Sequence, residues 1–134
     1  MTRIAAAYAA ALVAFLIMDG LWLGVVAKNF YKAEIGDLLL PQPNFAIAAL
    51  FYLFFVAGIL LFAVWPGLAA DSWLRAAALA AFLGLLAYGT YDITNLATLK
   101  GYSVKIAVAD MLWGAVVTTV SASAAFFAAR MFPD

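Results

Sequence analysis

Long apolar runs separated by three short polar stretches dominate the pattern along the chain. A helix that crosses the hydrocarbon core of a bilayer needs about 20 mainly apolar residues. Four runs reach that length, at residues 4–26, 45–65, 74–96 and 104–129. The period-two alternation of a transmembrane barrel is absent. The pattern therefore predicts an all-α polytopic membrane protein, a single domain over residues 1–134 in which four transmembrane helices form a compact bundle.

Four spans place both ends of the chain on one side of the membrane, which we call side A. The loops after the first and third spans then lie on the opposite side, side B. The first of these loops mixes charged residues with aromatic ones, so it is either an ordinary connector or a short amphipathic segment at the membrane interface. Lysine and arginine are divided almost evenly between the two sides, and the sequence sets no orientation.

The amino-acid composition supports the membrane assignment and excludes several kinds of chemistry. Hydrophobic residues make up 69% of the chain and charged residues 10%, whereas a soluble domain is roughly half apolar and a quarter charged. The net charge is zero, so we expect the lipid bilayer as a partner and no nucleic acid. The chain has neither cysteine nor histidine, which excludes thiolate chemistry and the commonest metal ligand. We expect no cofactor and no metal.

Three of the four predicted spans carry one aspartate each: Asp19, Asp92 and Asp110. An aspartate at the centre of a span costs about 2.5–3.5 kcal/mol on insertion scales and tends to face protein or water. Given the direction of each span, all three carboxylates fall in the half of the membrane nearer side B. We expect them to point into an interface between the first, third and fourth spans. The second span, in which bulky apolar side chains surround Tyr52, is expected to be more peripheral.

Polar residues accompany Asp92 at helical spacing in the third span. Tyr88, Tyr91, Asp92 and Asn95 occupy positions i, i+3, i+4 and i+7, which lie on one helix face. Thr94 flanks that face. This company of donors and acceptors favours a binding site for a proton, a cation or a ligand around Asp92, and the alternative is a structural bond to a neighbouring helix.

Small residues also mark expected helix contacts, because they allow membrane helices to approach closely. The fourth span has a line of small and polar residues on one face, and the first span has a glycine pair four residues apart. The fourth-span line is Asp110, Gly114, Thr118, Ser121 and Ala125, and the pair is Gly20 and Gly24.

A tryptophan follows an aspartate by three residues in both the first and the fourth span. The pairs are Asp19 with Trp22 and Asp110 with Trp113. The favoured interpretation is membership of the aromatic belt at the membrane interface. The alternative is that each indole covers or donates to the carboxylate of its own helix, since residues three apart share a helix face. The occurrence of the same Asp-x-x-Trp pattern in two antiparallel spans is also compatible with an ancestral inverted repeat.

Several segments resemble the signature blocks of a bacterial four-helix inner-membrane family that is classed as a domain of unknown function, DUF2177. These segments contain Asp19-Gly-Leu-Trp22, Tyr31 with Gly36, Phe51-Tyr52, Tyr88 to Asn95, and Asp110-Met-Leu-Trp113. The resemblance covers nearly the whole chain, and the Tyr-Asp-x-Thr-Asn block is its most specific part. It implies four helices and a multi-pass protein of the bacterial inner membrane, and it implies no activity.

Three function classes fit these residues. The favoured one is a small transporter or small-molecule binder linked to protons or a cation, because carboxylates with tyrosines and tryptophans suit protons and organic ammonium groups. It would act as a homodimer or within a larger membrane complex. The alternatives are a structural or accessory subunit of a membrane complex and, less favoured, a metal-dependent lipid enzyme. An enzyme is thus not the leading expectation, and the sequence leaves the question open.

Overall fold

The computed structural model describes residues 1–133, and that part of the chain consists of helices and their connections. Four helices are long and apolar enough to cross a membrane. They are span 1, Thr2–Val26; span 2, Phe45–Ala69; span 3, Trp73–Thr98; and span 4, Val104–Arg130. The predicted all-α fold with four transmembrane helices is confirmed.

Spans 2, 3 and 4 each begin at a side chain that caps the helix. Asn44, Ser72 and Ser103 accept a hydrogen bond from the backbone N–H three residues later, at 3.2, 3.1 and 3.2 Å. Asparagine and serine are preferred at this position because their oxygens satisfy an N–H that has no partner within the helix. These polar caps therefore fix where each apolar helix begins.

Span 2 extends past Pro66 to Ala69, four residues beyond the predicted end at residue 65. Proline normally breaks a helix because it lacks an N–H and its ring collides with a carbonyl in the preceding turn. Here the turn Leu60–Val64, just before the proline, is a wider π-helical turn. A π turn changes the local hydrogen-bond pattern, so the helix continues through the proline.

Span 1 also ends in a π-helical turn, Trp22–Val26, closed by a bond of 2.7 Å from the Ala27 N–H to the Trp22 carbonyl. The side B loop then forms a short helix, Lys28–Ile35, followed by a 3-10 turn, Gly36–Leu38. We call Lys28–Ile35 the loop helix. The structure shows a short helix in this loop, and its position at the membrane interface stays a prediction.

Span 4 lies at the centre of the bundle and packs against both span 1 and span 3. The predicted line of small residues on span 4 forms this contact, with Gly114, Thr118, Ser121 and Ala125 all buried. A Cβ placed on Gly84 of span 3 would lie 2.2 Å from the Gly114 carbonyl oxygen. Spans 3 and 4 therefore meet almost backbone to backbone.

The glycine pair of span 1 lies elsewhere. A Cβ placed on Gly20 or Gly24 would meet no described atom within 4 Å. Both glycines are exposed on the surface of the bundle, so they do not form a helix contact within this chain.

The expectation that the second span is peripheral is wrong. The second half of span 2 contributes several buried side chains to the main core and packs against span 3. Those residues are Phe55, Val56, Ile59, Leu60, Ala63 and Val64. High overall hydropathy concealed this buried face, because lipid-facing and core-facing side chains are equally apolar in a membrane protein.

Candidate functional site

Each of the three membrane aspartates accepts a hydrogen bond from a tyrosine hydroxyl. The pairs are Tyr52 with Asp19, Tyr31 with Asp110 at 2.5 Å, and Tyr102 with Asp92 at 2.7 Å. In the first two pairs the tyrosine lies on a different helix from its aspartate, and in the third it lies in the loop after span 3. The site is therefore assembled by the tertiary fold at the side B end of the bundle. We call these three pairs the Asp–Tyr cluster.

Asp19 is the member that joins spans 1, 2 and 4. Its side chain is buried, with 6% of the residue exposed. One carboxyl oxygen accepts from the hydroxyl of Tyr52 on span 2, and the other accepts from the indole N–H of Trp113 on span 4 at 3.2 Å. Both oxygens of a buried carboxylate thus have a donor, as burial requires.

The two tryptophans pair with partners other than those expected from spacing. Trp113 donates to Asp19 on the opposite helix, not to Asp110 on its own. Trp22 donates to the hydroxyl of Tyr31 at 3.1 Å, not to Asp19. The alternative in which each indole donates to the carboxylate of its own helix is therefore wrong.

The crossed arrangement arises because spans 1 and 4 are packed neighbours. The indole rings of Trp22 and Trp113 stack with centroids 4.6 Å apart and planes 6° apart. The Trp113 N–H then reaches Asp19 on span 1, and the Trp22 N–H reaches Tyr31 on the loop helix. The stack joins the surroundings of Asp19 to those of Tyr31.

Asp110 is half-buried and is held by the loop helix. The hydroxyl of Tyr31 donates to it while accepting from Trp22. Burial, followed by the hydrogen bond to Asp110, raises the pKa of Tyr31 well above its usual value, although the bond from Trp22 opposes this. Tyr31 is therefore a neutral phenol, and a donor, at physiological pH.

Asp92 is the most enclosed carboxyl group, with none of the residue exposed. Its Oδ1 accepts from the hydroxyl of Tyr102. Its Oδ2 is buried without a hydrogen-bond partner among residues 1–133. The Asp92 carboxyl also interacts directly with that of Asp110. The carboxyl groups of Asp92 and Asp110 are thus neighbours, and the Oδ2 atom of Asp92 is, within the described part of the chain, an unoccupied acceptor that a proton can bind.

Tyr102 closes the site from the loop after span 3. Burial, followed by its hydrogen bond to Asp92, raises the pKa of Tyr102 well above its usual value, and a bond from Asn95 opposes this shift. The ring of Tyr91 stands edge-on to that of Tyr102, with centroids 6.3 Å apart. Of the residues predicted to accompany Asp92, Asn95 and Tyr91 therefore act through Tyr102.

The other two predicted companions of Asp92 have different surroundings. Tyr88 packs against span 4, where a Cβ placed on Gly114 would lie 2.3 Å from its ring. Thr94 is exposed, and its hydroxyl donates to the Thr90 carbonyl one turn earlier in the same helix. The structure therefore places Tyr88 inside the bundle near the cluster and does not bring Thr94 into it.

The loop helix is fastened to the bundle by polar and apolar contacts. Ser103 donates to Glu34 at 2.6 Å, and the Lys105 ammonium lies 3.9 Å from the same carboxylate. Ile35 packs with Tyr102 and Ile106 in a second, smaller core. These contacts hold Tyr31 over Asp110.

Neutral hydroxyl and indole groups donate the hydrogen bonds that the three aspartates accept. The ion pairs found among residues 1–133 join Lys105 to Glu34 and Arg130 to Asp71, so they involve other carboxylates. Over the same residues, no group of three acidic, histidine or cysteine side chains is close enough to hold a metal ion. The cluster thus consists of the adjacent pair Asp92 and Asp110, with Asp19 joined to it through the tryptophan stack.

A cavity of about 300 Å³ lies beside the cluster. Asp110 contributes the carboxylate of its wall, and aromatic rings form most of the remainder. Those rings belong to Phe15, Phe51, Tyr52, Phe55, Tyr88 and Tyr91. The site therefore combines carboxyl groups with a ring-lined space of small-molecule size.

Sequence reasoning did not include three residues of the cluster among the candidates. Tyr31, Tyr52 and Tyr102 supply the hydroxyl groups, yet none lies at helical spacing from its aspartate in the same span. A signal for Tyr52 was present, because it is the only ionisable residue in the second predicted span. A tyrosine hydroxyl within a span needs a partner.

The fold and the site define a multi-pass membrane protein that holds tyrosine-bonded carboxyl groups within its helices. A family model described as predicted membrane protein (DUF2177) matches residues 4–127. The chain belongs to this family, which confirms the resemblance seen in the sequence. No curated protein and no solved structure matches the chain.

Proposed function

We propose that the protein is a small proton- or cation-linked transporter, or a small-molecule binder, of the bacterial inner membrane. The observation that carries the proposal is the Asp–Tyr cluster, in which three carboxyl groups are bonded by neutral donors. Aspartates within a membrane segment are costly, and they typically mark proton relays and ion or substrate pathways. A purely structural contact between helices needs fewer acidic groups than this.

The adjacent carboxyl groups of Asp92 and Asp110 supply the chemistry. Two ionised carboxylates that face each other repel, so a proton or a cation between them is stabilised. The buried Oδ2 of Asp92, which lacks a partner among residues 1–133, is a position for that proton. Binding and release would change the charge of the site by one unit.

Tyrosine hydroxyls suit such a change because they both donate and accept hydrogen bonds. Tyr31 and Tyr102 donate to ionised carboxylates and can turn to accept from protonated ones. Both belong to side B elements, so they connect the buried pair to that side of the membrane. Access from side B is part of the proposal.

A homodimer or a larger membrane complex completes the proposal. Four closely packed helices leave little room for an enclosed path across the membrane, so a second copy would be needed to form one. Light scattering of the protein in detergent measures its mass. The proposal predicts at least two copies per particle, and a monomer at all concentrations would restrict the function to binding.

The test of the proposal is the pH dependence of thermal stability in detergent for wild type and Asp92→Asn. Asparagine keeps the shape and the bond from Tyr102 but cannot ionise. The variant should unfold at the same temperature as wild type or higher at neutral pH, because the repulsion between two facing acidic groups is relieved, and its pH profile should be flatter. Asp37→Asn, in the exposed 3-10 turn, is the matched control. Identical profiles for wild type and Asp92→Asn would contradict the proposal.

A further inference from the structure

The ring-lined cavity next to Asp110 opens between spans 2 and 3. These two spans make their close contacts through the π turn Leu60–Val64 and the short segment after it, nearer side A. Towards side B they diverge. Phe51 on span 2 and Tyr91 on span 3 line the opening, with 56% and 57% of each residue exposed. Within a membrane this exposure is to lipid, so the cavity is reached from the bilayer.

A second groove adjoins this cavity along span 2. It has a volume of about 350 Å³ and shares Phe51 and Phe55 with the cavity. Its other lining residues are apolar or glycine and include Gly58, Leu61 and Leu83. Because span 2 runs from side B towards side A, the groove leads away from the carboxylate and towards the middle of the membrane.

The two spaces together have one end with an acidic residue and one apolar end, as an amphiphile with a cationic head requires. The end near Asp110 has a carboxylate that accepts a hydrogen bond from Tyr31 and pairs with no lysine or arginine among residues 1–133. Tyrosine and phenylalanine rings surround it. Ring faces and carboxylates both attract ammonium groups. The other end offers only hydrocarbon. A molecule seated in this way lies as a lipid of the same leaflet does, with its head near side B.

We propose that the cleft between spans 2 and 3 binds a cationic amphiphile, with an ammonium head against Asp110 and a hydrocarbon chain in the groove along span 2. The inference rests on the proposed function and names the substrate class of that site. The cation bound at the site is then an organic ammonium, and it enters laterally from the bilayer.

The test measures binding of hexadecyltrimethylammonium to the full-length protein by native mass spectrometry. Hexadecanol, which has the same chain without the charge, is the comparison. The cation should be retained at a stoichiometry of one per chain, and the alcohol at least about tenfold more weakly, because the aromatic rings and the carboxylate attract a cationic head and not a neutral one. Equal retention of both would overturn the proposal.

Two variants test the position of the head and of the cleft. Asp110→Asn should weaken binding of the cation about tenfold or more and leave the alcohol unchanged, whereas Asp37→Asn should change neither. Ala87→Phe places a ring in the cavity that Ala87 lines, so it should abolish binding of the cation. Ala78→Phe, on the exposed face of the same span, is its control. Unchanged binding in Asp110→Asn and Ala87→Phe would place the probe elsewhere and contradict the proposal.

These results separate this inference from the proposed function. If the cation is not retained while Asp92→Asn still flattens the pH profile, the amphiphile is wrong and proton binding stands. If the cation is retained through Asp110 while the pH profiles of wild type and Asp92→Asn coincide, the amphiphile stands and the proton-linked part fails.

Discussion

The two ends of the bundle are held together by different chemistry. Near side A, spans 1, 3 and 4 meet through alanines and one large ring, and this part of the core has no buried carboxylate among residues 1–133. Its fully buried members include Ala7, Ala11, Ala76, Ala80, Ala125, Ala129 and Phe126. Near side B, the same helices meet around the Asp–Tyr cluster and the stacked tryptophans. The apolar end depends on shape, and the polar end depends on paired donors and acceptors.

The apolar end near side A accounts for the packing of the helices, and the polar end near side B is where we propose the function. Small residues allow close approach of helices, which is the main source of association where no hydrophobic force acts between them. Such packing already fixes the bundle at side A without any acidic group. The hydrogen bonds of the carboxyl groups at side B add to this packing, but acidic groups within membrane segments are costly, which is the reason to propose a function for them.

The largest expected effect is a loss of stability when the close packing of the apolar end is disrupted. A Cβ on Gly67 would lie 2.5 Å from the Ala76 side chain and 3.0 Å from its backbone. Gly67→Leu should therefore lower the free energy of unfolding by about 2–3 kcal/mol, as overpacking does. Gly20→Leu, where the space is open, should leave stability unchanged or slightly raised. Thermal unfolding in detergent measures both, and equal effects would show that packing does not distinguish these positions.

The next effect compares one tyrosine from each end. Tyr52→Phe removes a donor from the buried carboxylate of Asp19, which should cost about 1–3 kcal/mol. Tyr8→Phe removes a bond of 2.7 Å to the Leu53 carbonyl nearer side A, and a neutral bond should contribute only about 0.5–1.5 kcal/mol. The same unfolding assay compares the two variants. A larger loss for Tyr8→Phe would contradict the importance given to the Asp–Tyr cluster.

A smaller effect appears at alkaline pH. Because folding raises the pKa of Tyr31, the folded protein keeps this proton when the unfolded chain has lost it. The stabilisation is complete below the ordinary tyrosine pKa of about 10 and declines as the pH rises above it. Tyr31→Phe should reduce this alkaline loss. Stability measured between about pH 8 and 11 for the two proteins tests the sign, and a steeper loss in Tyr31→Phe would refute it.

The smallest effect concerns the clearest ion pair of the molecule. Arg130 donates to Asp71 at 2.7 Å near side A, and both side chains are exposed. Exposed pairs contribute about 0–1 kcal/mol, so Arg130→Gln should shift the unfolding temperature only slightly. A loss greater than that of Tyr52→Phe would mean that formal charge pairs, and not the neutral donors of the cluster, secure this bundle.

The sequence was sufficient for the spans and for the common level of the three aspartates. Apolar run length predicts a membrane helix directly, and the direction of each span places Asp19, Asp92 and Asp110 at one end. The partners of these residues could not be predicted in the same way. Helical spacing describes neighbours on one helix, whereas Tyr31 and Trp113 reach their aspartates from other elements.

The role of span 2 was missed for a related reason. Hydropathy does not separate a face that packs on protein from a face that packs on lipid, so the buried side of Val56 and Ile59 had no signature in the sequence. Only the isolated hydroxyl of Tyr52 indicated that this helix takes part in the site.

The central claim is that the carboxyl groups of Asp92 and Asp110 form one electrostatic unit. The most direct measurement is the infrared absorption of protonated carboxyl groups during a pH titration of wild type, Asp92→Asn and Asp110→Asn. We predict that each substitution removes one titrating carboxyl group and also shifts the titration of the other aspartate, because the two groups interact directly. If each variant simply loses one group while the remaining titration is unchanged, the aspartates act independently and the account is contradicted.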